Sequence, residues 1–356
     1  MIRWRRGVVS ELGEAWPGTQ ELQAQVEGVE VRALAYPELV GTPEVGDDVL
    51  LNVTAQQMGL GTGGYALVVA IPDRLPADPP PKPGHLVKAR YTPLQTTVLG
   101  ADEQDSPWHG TLRDADDLGG VPVVTADLHS ALPAVIAGAR TGRDLRVAYV
   151  MTDGGALPAW FSRALAGLRA AGWLQTVVSV GQCFGGDVEA VTMHTGLLAA
   201  VHVGAADMVV VAQGPGNLGT GTRWGFSGVA CGEAVNAVST LGGRAVAALR
   251  VSEADSRVRH QGVSHHSLTA YGRVALASAD VVVPGFSGEL GALVDEQVSS
   301  LAGRHRLVHE SVDGLDEALA RSPVTLSTMG RGLAEDRAAF VAAAAAGRHA
   351  ARCVSE

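Results

Sequence analysis

The sequence predicts an α/β protein in which a small antiparallel β-barrel precedes a Rossmann-like, mostly parallel, doubly wound sheet. Residues 1–72 alternate short β-rich runs with turn signals, a pattern typical of small barrels. Six prolines follow within residues 72–84, which indicates an extended linker. From His85 onward, short β-branched runs alternate with segments of helical length, as in repeated βα units. We therefore place a barrel domain at 1–72, a linker at 73–84 and an α/β domain at 85–356.

The predicted barrel consists of strand candidates joined by Pro-Gly, Glu-Gly and Val-Gly-Asp turns. These candidates are residues 4–12, 19–26, 29–34, 48–53 and 66–71. The strand candidates of the α/β domain are residues 121–125, 146–151, 176–180, 208–212, 245–251, 281–283, 305–308 and 324–326. Its helix candidates are residues 132–140, 158–171, 188–203, 229–241, 268–278, 289–301, 315–321 and 335–346. Such units put helices on both faces of a sheet, and ligands bind beyond the carboxyl ends of the strands.

Composition and charge disfavour several classes of partner. The chain is 46% hydrophobic and 18% charged, with a formal net charge of -10. This acidic balance disfavours a nucleic-acid partner. Met1 leads into basic residues without the apolar run of a signal peptide, and no apolar stretch has transmembrane length, so we expect a cytoplasmic protein without a membrane partner. Three cysteines without a Cys-x-x-Cys pair disfavour a disulfide scaffold or a zinc knuckle.

A glycine-rich loop is the first candidate for ligand binding. It lies between the strand candidate 208–212 and the helix candidate 229–241, an arrangement that presents backbone N–H groups and a helix N-terminus to an anion. Its spacing matches neither the phosphate-loop motif nor the dinucleotide fingerprint. The predicted ligand-binding residues of this segment are Gly214, Gly216, Asn217, Gly219, Thr220, Gly221, Thr222 and Ser227.

The segment 262–267 is the most chemically distinctive short motif, because imidazoles act as acids, bases or metal ligands near neutral pH. We predict that His265 and His266 are catalytic and that Ser264 binds the ligand. Adjacent residues of a helix point about 100 degrees apart, so both rings reach one metal only where the backbone is irregular. No His-Glu-x-x-His pattern indicates zinc hydrolysis, and no metal ligand is assigned.

Other polar residues follow the strand candidates and complete the predicted site. Asp153 and Asp187 are predicted to be catalytic, and the alternative for both is an N-cap of the following helix. Glu189 is a ligand-binding candidate in the first turn of a predicted helix, where the helix dipole alone would favour a carboxylate. The remaining ligand-binding candidates are His129 and Arg331.

Several longer strings carry a resemblance to a known family. They are Asn52 with residues 59–65, 90–95, 149–154, 184–187, the glycine-rich loop, 262–266 and 328–332. Over nearly its whole length the chain resembles an uncharacterised bacterial family of similar length, known as a domain of unknown function. The resemblance implies no reaction, cofactor or catalytic residue.

These residues predict an enzyme, a transferase or hydrolase, that acts on a small anionic or phosphorylated metabolite. In this hypothesis the glycine-rich loop holds the anion and His265 or His266 moves a proton. Asp153 or Asp187 orients the substrate or a divalent ion. The alternative is a non-catalytic metabolite sensor or assembly protein. The cofactor is undetermined, with a divalent metal as an open alternative, and a homodimer is the expected assembly.

Overall fold

The computed structural model describes residues 1–354 and contains a closed barrel of five strands followed by an eight-stranded parallel sheet. Hydrophobic cores on both faces of this sheet are covered by helices. The fold class predicted from the sequence is therefore confirmed. Residues 355–356, the end of the predicted α/β domain, lie outside the described residues. Within the described part of the chain, no helix is both long and apolar enough to cross a bilayer.

The barrel forms where the sequence alternates apolar and polar residues with a period of two. Its elements are β1 (Trp4–Trp16), β2 (Thr19–Val26), β3 (Val29–Ala35), α1 (Pro37–Val40), β4 (Asp48–Asn52), α2 (Thr54–Gln57) and β5 (Ala66–Ala70). The strands close in the order β1-β2-β3-β5-β4. Strand β4 pairs antiparallel with both β1 and β5. Strand β5 therefore runs parallel to its other neighbour, β3. Leu22, Ala24, Val49 and Leu51 fill the interior, because alternate side chains of a strand share one face.

The segment between the barrel and the sheet is mostly irregular. Residues 72–84 contain no helix or strand, as their prolines predict. The hairpin β6 (Leu86–Lys88) and β7 (Thr96–Val98) and the short helix α3 (His109–Leu112) follow. The buried Lys88 ties this hairpin to the sheet, because its Nζ donates to the carbonyl oxygen of Ala190 at 2.8 Å.

The sheet and its flanking elements account for the rest of the described chain. The strands are β8 (Pro122–Thr125), β9 (Val147–Thr152), β10 (Thr176–Ser179), β11 (Val188–Glu189), β12 (Met208–Gln213), β13 (Arg244–Ala248), β14 (Val251–Ser252), β15 (Gly262–Val263), β16 (Asp280–Pro284), β17 (Arg306–Glu310), β18 (Ser327–Thr328) and β19 (Arg331–Gly332). The helices are α4 (Leu132–Ala139), α5 (Arg163–Ala170), α6 (Met193–His202), α7 (Ala230–Thr240), α8 (His265–Thr269), α9 (Gly288–Val298), α10 (Leu315–Ala320) and α11 (Arg337–Arg352). The large sheet has the order β11-β10-β9-β12-β8-β13-β16-β17.

Three predicted elements of this domain differ most from the structure in type or extent. The predicted helix 188–203 begins as the edge strand β11, because Glu189 pairs with Ser179 of β10, and α6 starts only after the N-cap Thr192. The predicted helix 268–278 is the short α8 continued by a π-helical turn, Ala270–Val274. The predicted strand 324–326 is irregular, and only the two-residue strand β18 follows it.

Strand order places a crevice at the carboxyl end of β8. This strand leads into α4, which packs on one face of the sheet with α5, α10 and α11. Its neighbours β12 and β13 lead into α7 and α8, on the opposite face together with α6 and α9. Helices that leave adjacent strands toward opposite faces open the crevice in which doubly wound proteins bind ligands.

Helices α4 and α11 pack against each other through two glycines. A Cβ atom at Gly138 would lie 1.8 Å from the carbonyl oxygen of Ala344, and one at Gly347 would lie 1.8 Å from that of Val135. Backbone therefore meets backbone at this crossing, and neither position has room for a methyl group.

We expect Gly138→Ala to lower the free energy of unfolding by about 1–3 kcal/mol, because overpacking outweighs the better helix propensity of alanine. Urea denaturation measures the change. Gly142→Ala is the matched control, since a Cβ atom there has nothing within 4 Å. Equal stability of the two variants would contradict this account of the helix crossing.

Candidate functional site

The candidate site lies at the carboxyl edge of the sheet, where β8, β12 and β13 end. Asp127 follows β8, Gln213 ends β12 and Arg250 follows β13. Strand β8 pairs with both of the others, so the three loops are neighbours. The Nε2 atom of Gln213 donates to the carbonyl oxygen of Asp127 at 2.7 Å, which joins the first two loops.

His260, His265 and His266 form a compact group, which we call the histidine cluster. The ring centroid of His260 lies 5.0 Å from each of the other two centroids, which are 4.5 Å apart. One nitrogen atom from each ring lies within 4.8 Å of the others. His260 closes the 3₁₀ turn Val258–His260, and the other two histidines open α8. The predicted pair is therefore brought together with a third ring.

Contacts with neighbouring residues fix the orientation of the His260 and His266 rings. The hydroxyl of Ser264, which is fully buried, lies 2.7 Å from Nδ1 of His260 and accepts a bond from the backbone N–H of His266. Phe226 stacks on the ring of His266 with a centroid distance of 3.8 Å and an interplanar angle of 2°. Ser264, predicted to bind ligand, instead positions the histidine cluster.

A buried ion pair supports the cluster from below. Oδ2 of Asp127 lies 3.5 Å from Nη1 of Arg250 and 3.5 Å from Nδ1 of His266. Burial raises the pKa of Asp127, but His266 and Arg250 outweigh burial and hold it below its usual range. The carboxylate is therefore ionised and anchors both partners.

Burial also determines the charge of two rings in the cluster. It lowers the pKa of His260 to about 3, with Arg250 and Arg257 acting in the same direction. It lowers the pKa of His265 to about 4, helped by His266 and by Arg259. Both rings are neutral at neutral pH, so each has one N–H donor and one nitrogen lone pair, and neither is an imidazolium.

The glycine-rich loop folds as a hairpin that leans toward the cluster. Gly219 pairs with Phe226, and the N–H of Thr220 donates to the carbonyl oxygen of Gly225 at 2.7 Å. The tip of this hairpin, residues 221–224, is exposed. Within residues 1–354 the four N–H groups of the tip have no hydrogen-bond partner, so they are open to a ligand.

The start of the following helix is already capped by the loop itself. Oδ1 of Asn217 accepts bonds from Nε2 of Gln213 at 2.9 Å and from the N–H of Gly228 at 3.3 Å. The predicted ligand-binding residue Asn217 therefore occupies the helix N-terminus that the sequence argument offered to an anion. An anion would instead meet the hairpin tip.

Other predicted residues of the loop have roles in its folding. Thr222 Oγ1 accepts from the N–H of Gly225 at 3.2 Å and lies 3.1 Å from Thr220 Oγ1. Ser227 Oγ accepts from the N–H of Leu218 at 3.0 Å.

The predicted glycines of the loop differ in their surroundings. Gly214 packs against backbone, since a Cβ atom there would lie 2.3 Å from the carbonyl oxygen of Ala156. Gly216 has a φ of +90° and open space around it. Gly221, at the tip, lies beside Arg259, whose Nη2 would be 3.7 Å from a Cβ atom built on that glycine.

A cleft of about 510 Å³ lies between the hairpin and α8. Its lining residues are Arg223, His265, Leu268, Thr269, Gly272, Arg273 and Ser300. Arg223 of the glycine-rich loop and His265 of the histidine cluster therefore line the same cleft.

Two predicted ligand-binding residues are instead held in polar networks. His129 is buried, with its two ring nitrogens 2.9 Å from the hydroxyl of Tyr149 and 2.7 Å from that of Ser162. Arg331 donates to Asp336 at 3.0 Å and lies 3.3 Å from Asp255. Both residues support the loops around the site without lining the cleft.

The acidic candidates are engaged by other parts of the fold, although Asp153 follows β9, the neighbour of β12 in the sheet. Oδ2 of Asp153 accepts from the N–H of Gln182 at 2.9 Å. Oδ2 of Asp187 accepts from the N–H of Val177 at 2.8 Å and also bonds Arg169. Neither is a helix cap, because the N-caps of α5 and α6 are Ser162 and Thr192. The structure does not bring either carboxylate to the histidine cluster.

Glu189 lies in β11 and forms a separate buried pair. Its Oε1 accepts from the N–H of Gly185 at 2.7 Å, and its Oε2 lies 3.6 Å from Nζ of Lys88. Burial raises the pKa of Glu189 to about 7. Glu189 therefore pairs with Lys88 of the β6–β7 hairpin and does not line the cleft.

Sequence reasoning did not assign several residues of the site. Asp127 was recognisable as the first carboxylate after the strand candidate 121–125, and His260 as one of several polar residues after the strand candidate 245–251. Arg250 was hidden because the predicted strand 245–251 enclosed it, and the stacking of Phe226 on His266 depends on tertiary contact alone.

A protein-family model described as "Protein of unknown function (DUF3866)" matches residues 32–347. This match confirms the resemblance seen in the sequence motifs. A comparison with curated proteins gives no significant match.

We expect His129→Gln to weaken the pH dependence of stability. Burial lowers the pKa of His129 from 6.5 to about 4. Between these values the unfolded chain binds a proton that the folded chain does not, so stability is lost as pH falls through this range, by up to about 3 kcal/mol. Urea denaturation between pH 4 and 7 measures the slope.

The control is His194→Gln at an exposed position, which should keep the wild-type slope. Indistinguishable slopes for His129→Gln and the wild-type protein would contradict a neutral, buried His129.

Proposed function

Because the chain belongs to the DUF3866 family of proteins of unknown function, we propose a function from its geometry. The protein is an enzyme, a hydrolase or transferase, that binds a small anionic or phosphorylated metabolite between the glycine-rich hairpin and α8. One observation carries this proposal. The hairpin places Arg223 on the same cleft that His265 enters from the histidine cluster.

Unpaired positive charge supports an anionic ligand. Arg223 and Arg273 line the cleft, and Arg259 lies beside the hairpin tip. Within residues 1–354 none of these three arginines forms an ion pair, whereas Arg257 and Arg331 are neutralised by aspartates. Guanidinium groups bind carboxylates and phosphates through paired hydrogen bonds. The free N–H groups of residues 221–224 add further donors.

The position and size of the cleft support a metabolite site. It lies at the carboxyl ends of neighbouring parallel strands, where doubly wound proteins bind ligands. Its volume of about 510 Å³ falls in the range of small-molecule pockets. Leu268 adds apolar surface beside the arginines, so a ligand with an anionic group and a short carbon skeleton fits the lining.

Roles within the site follow from distance and burial. Arg223 and Arg273 hold the anion, and His265 faces the group that reacts. Asp127 is a positioning residue, because it contacts the histidine cluster through His266 and does not line the cleft. Asp153 and Asp187 have no part in this proposal, since each is engaged elsewhere in the fold.

Cytoplasmic location and homodimeric assembly stay predictions. Cys183, Cys231 and Cys353 are free, which is the state expected in a reducing compartment.

We expect a thermal-shift screen with inorganic phosphate, pyrophosphate, sugar phosphates and nucleotides to identify stabilising ligands. A ligand at 100 times its dissociation constant should stabilise the folded protein by about 2.7 kcal/mol. Arg223→Gln and Arg273→Gln should each weaken binding by about 10–100-fold, because each removes charge-assisted hydrogen bonds. Arg113→Gln is the control, since that exposed arginine lies outside the cleft.

Turnover separates the enzyme from the sensor alternative. Product formation from a bound ligand, lost in His265→Gln with little change in binding, supports an enzyme. Binding without product supports a metabolite sensor. No stabilisation by any of the anions, or equal binding by the three arginine variants, would contradict the anionic ligand.

A further inference from the structure

We propose that His260, His265 and His266 bind one divalent transition-metal ion beside the cleft that His265 lines. The ligand set of three imidazoles suits Zn²⁺, with Co²⁺ as its spectroscopic substitute. The inference rests on the proposed function only for what the ion does there, because the binding of the ion is a property of the three rings.

The distances between the rings support one shared ion. One nitrogen of each ring lies within 4.8 Å of the other two. Nitrogens bound to a tetrahedral Zn²⁺ at 2.0–2.1 Å are about 3.3 Å apart, so the rings need to close by at most about 1.5 Å. Side-chain rotation covers that distance. Nε2 of His265 is buried without a hydrogen-bond partner in the described chain, so this nitrogen is free to coordinate an ion.

Contacts behind the rings are those that metal-bound histidines require. Ligating histidines bind the ion through one nitrogen and use the other to contact a carboxylate, hydroxyl or carbonyl group. Nδ1 of His260 has Ser264 Oγ at 2.7 Å, and Nδ1 of His266 has Asp127 Oδ2 at 3.5 Å. These partners leave the Nε2 atom of both rings for the ion. Nη1 of Arg250 donates to Nδ1 of His266 at 3.2 Å, so this nitrogen accepts a hydrogen bond in the metal-free protein. Binding of the ion through Nε2 of His266 shifts the ring proton to Nδ1, where it faces Asp127 in place of the Arg250 bond.

Carboxylates balance two of the guanidinium groups around the cluster, whereas Arg259 beside the hairpin tip has no such partner within residues 1–354. Arg250 lies close, 3.2 Å from Nδ1 of His266, but its charge is balanced by Asp127. Arg257 is balanced by Asp255 in the same way.

The ion would be catalytic in type. Three protein ligands leave the fourth position of a tetrahedral ion open, which is typical of catalytic zinc sites and unlike the closed four-ligand structural ones. His265 lines the cleft, so the open position faces the space that holds the anionic ligand. There the ion would polarise an oxygen atom of the ligand or of a water molecule.

A second group of metal-ligating side chains, Asp280, His349 and Cys353, does not share these properties. Its carboxylate is already engaged by Arg306, Arg244 and His349. Three cationic or donor groups on one carboxylate leave no free charge for an ion. This group therefore serves as the internal control.

The test measures metal bound to the full chain. Purified protein is stripped with a chelator, loaded with Zn²⁺ or Co²⁺ and desalted, and its metal content is measured by mass spectrometry. We expect one ion per chain, and a visible absorption band of tetrahedral Co²⁺ in the cobalt form. His260→Gln and His265→Gln should each weaken binding by more than 100-fold, and Ser264→Ala by about 10–100-fold through loss of the outer contact.

His349→Gln is the matched control and should keep both the ion and the cobalt spectrum. Circular dichroism of the metal-free variants shows whether each folds. If a variant does not fold, the cobalt spectrum of the wild-type protein tests whether the protein binds a tetrahedral ion. Absence of stoichiometric Zn²⁺ and Co²⁺ in the wild-type protein would overturn the inference. Loss of the ion in His349→Gln with retention in His260→Gln would also overturn it.

The failures of the two proposals are distinguishable. Binding of inorganic phosphate by the metal-free protein, with no binding of Zn²⁺ or Co²⁺, rejects the metal site and keeps the anion site. A bound ion with no stabilisation by any anion keeps the metal site and rejects the anionic substrate.

Discussion

The ion pair between Arg250 and Asp127 is the interaction on which the candidate site depends. Both side chains are more than nine-tenths buried, so withdrawing them from water costs several kcal/mol that their attraction recovers only in part. The pair joins the loops after β8 and β13, and its carboxylate also faces His266. Apolar residues would stabilise this position at least as well. The role of the buried Asp127 carboxylate is therefore to hold the ring of His266 in place.

Arginines around the site fall into two groups that the sequence does not separate. Arg331 and Arg257 meet Asp255, and Asp336 also accepts bonds from Arg331 and Ser252, which fixes the loop that carries His260. The arginines of the cleft have no such carboxylate partners. Their charge is uncompensated, and uncompensated charge at a concave surface is what attracts an anion.

The conformation of the glycine-rich loop depends on contacts that the sequence does not reveal. Its position between β12 and α7 follows from the sequence, and it does reach the cleft. Its chemistry differs, because Asn217 caps the following helix and the loop projects as a hairpin. The glycine spacing showed that the motif was not a known phosphate loop. It did not show which group would accept hydrogen bonds from the N–H groups at the start of the following helix. Glu189 was misplaced for a related reason, since a two-residue edge strand has too few residues to leave a periodic signal.

The sequence by itself determined the two-part architecture and most strands and helices, and it singled out residues 262–267 as a candidate site. Local periodicity carries that information, because each strand or helix shows its buried face within a few residues. Only the tertiary structure decided that His260 joins His265 and His266, that Asp127 and Arg250 meet beneath them, and that the acidic candidates lie elsewhere. Strand order and the face taken by each crossover helix determine which strand ends are neighbours. Those choices depend on contacts between distant segments, which no local pattern records.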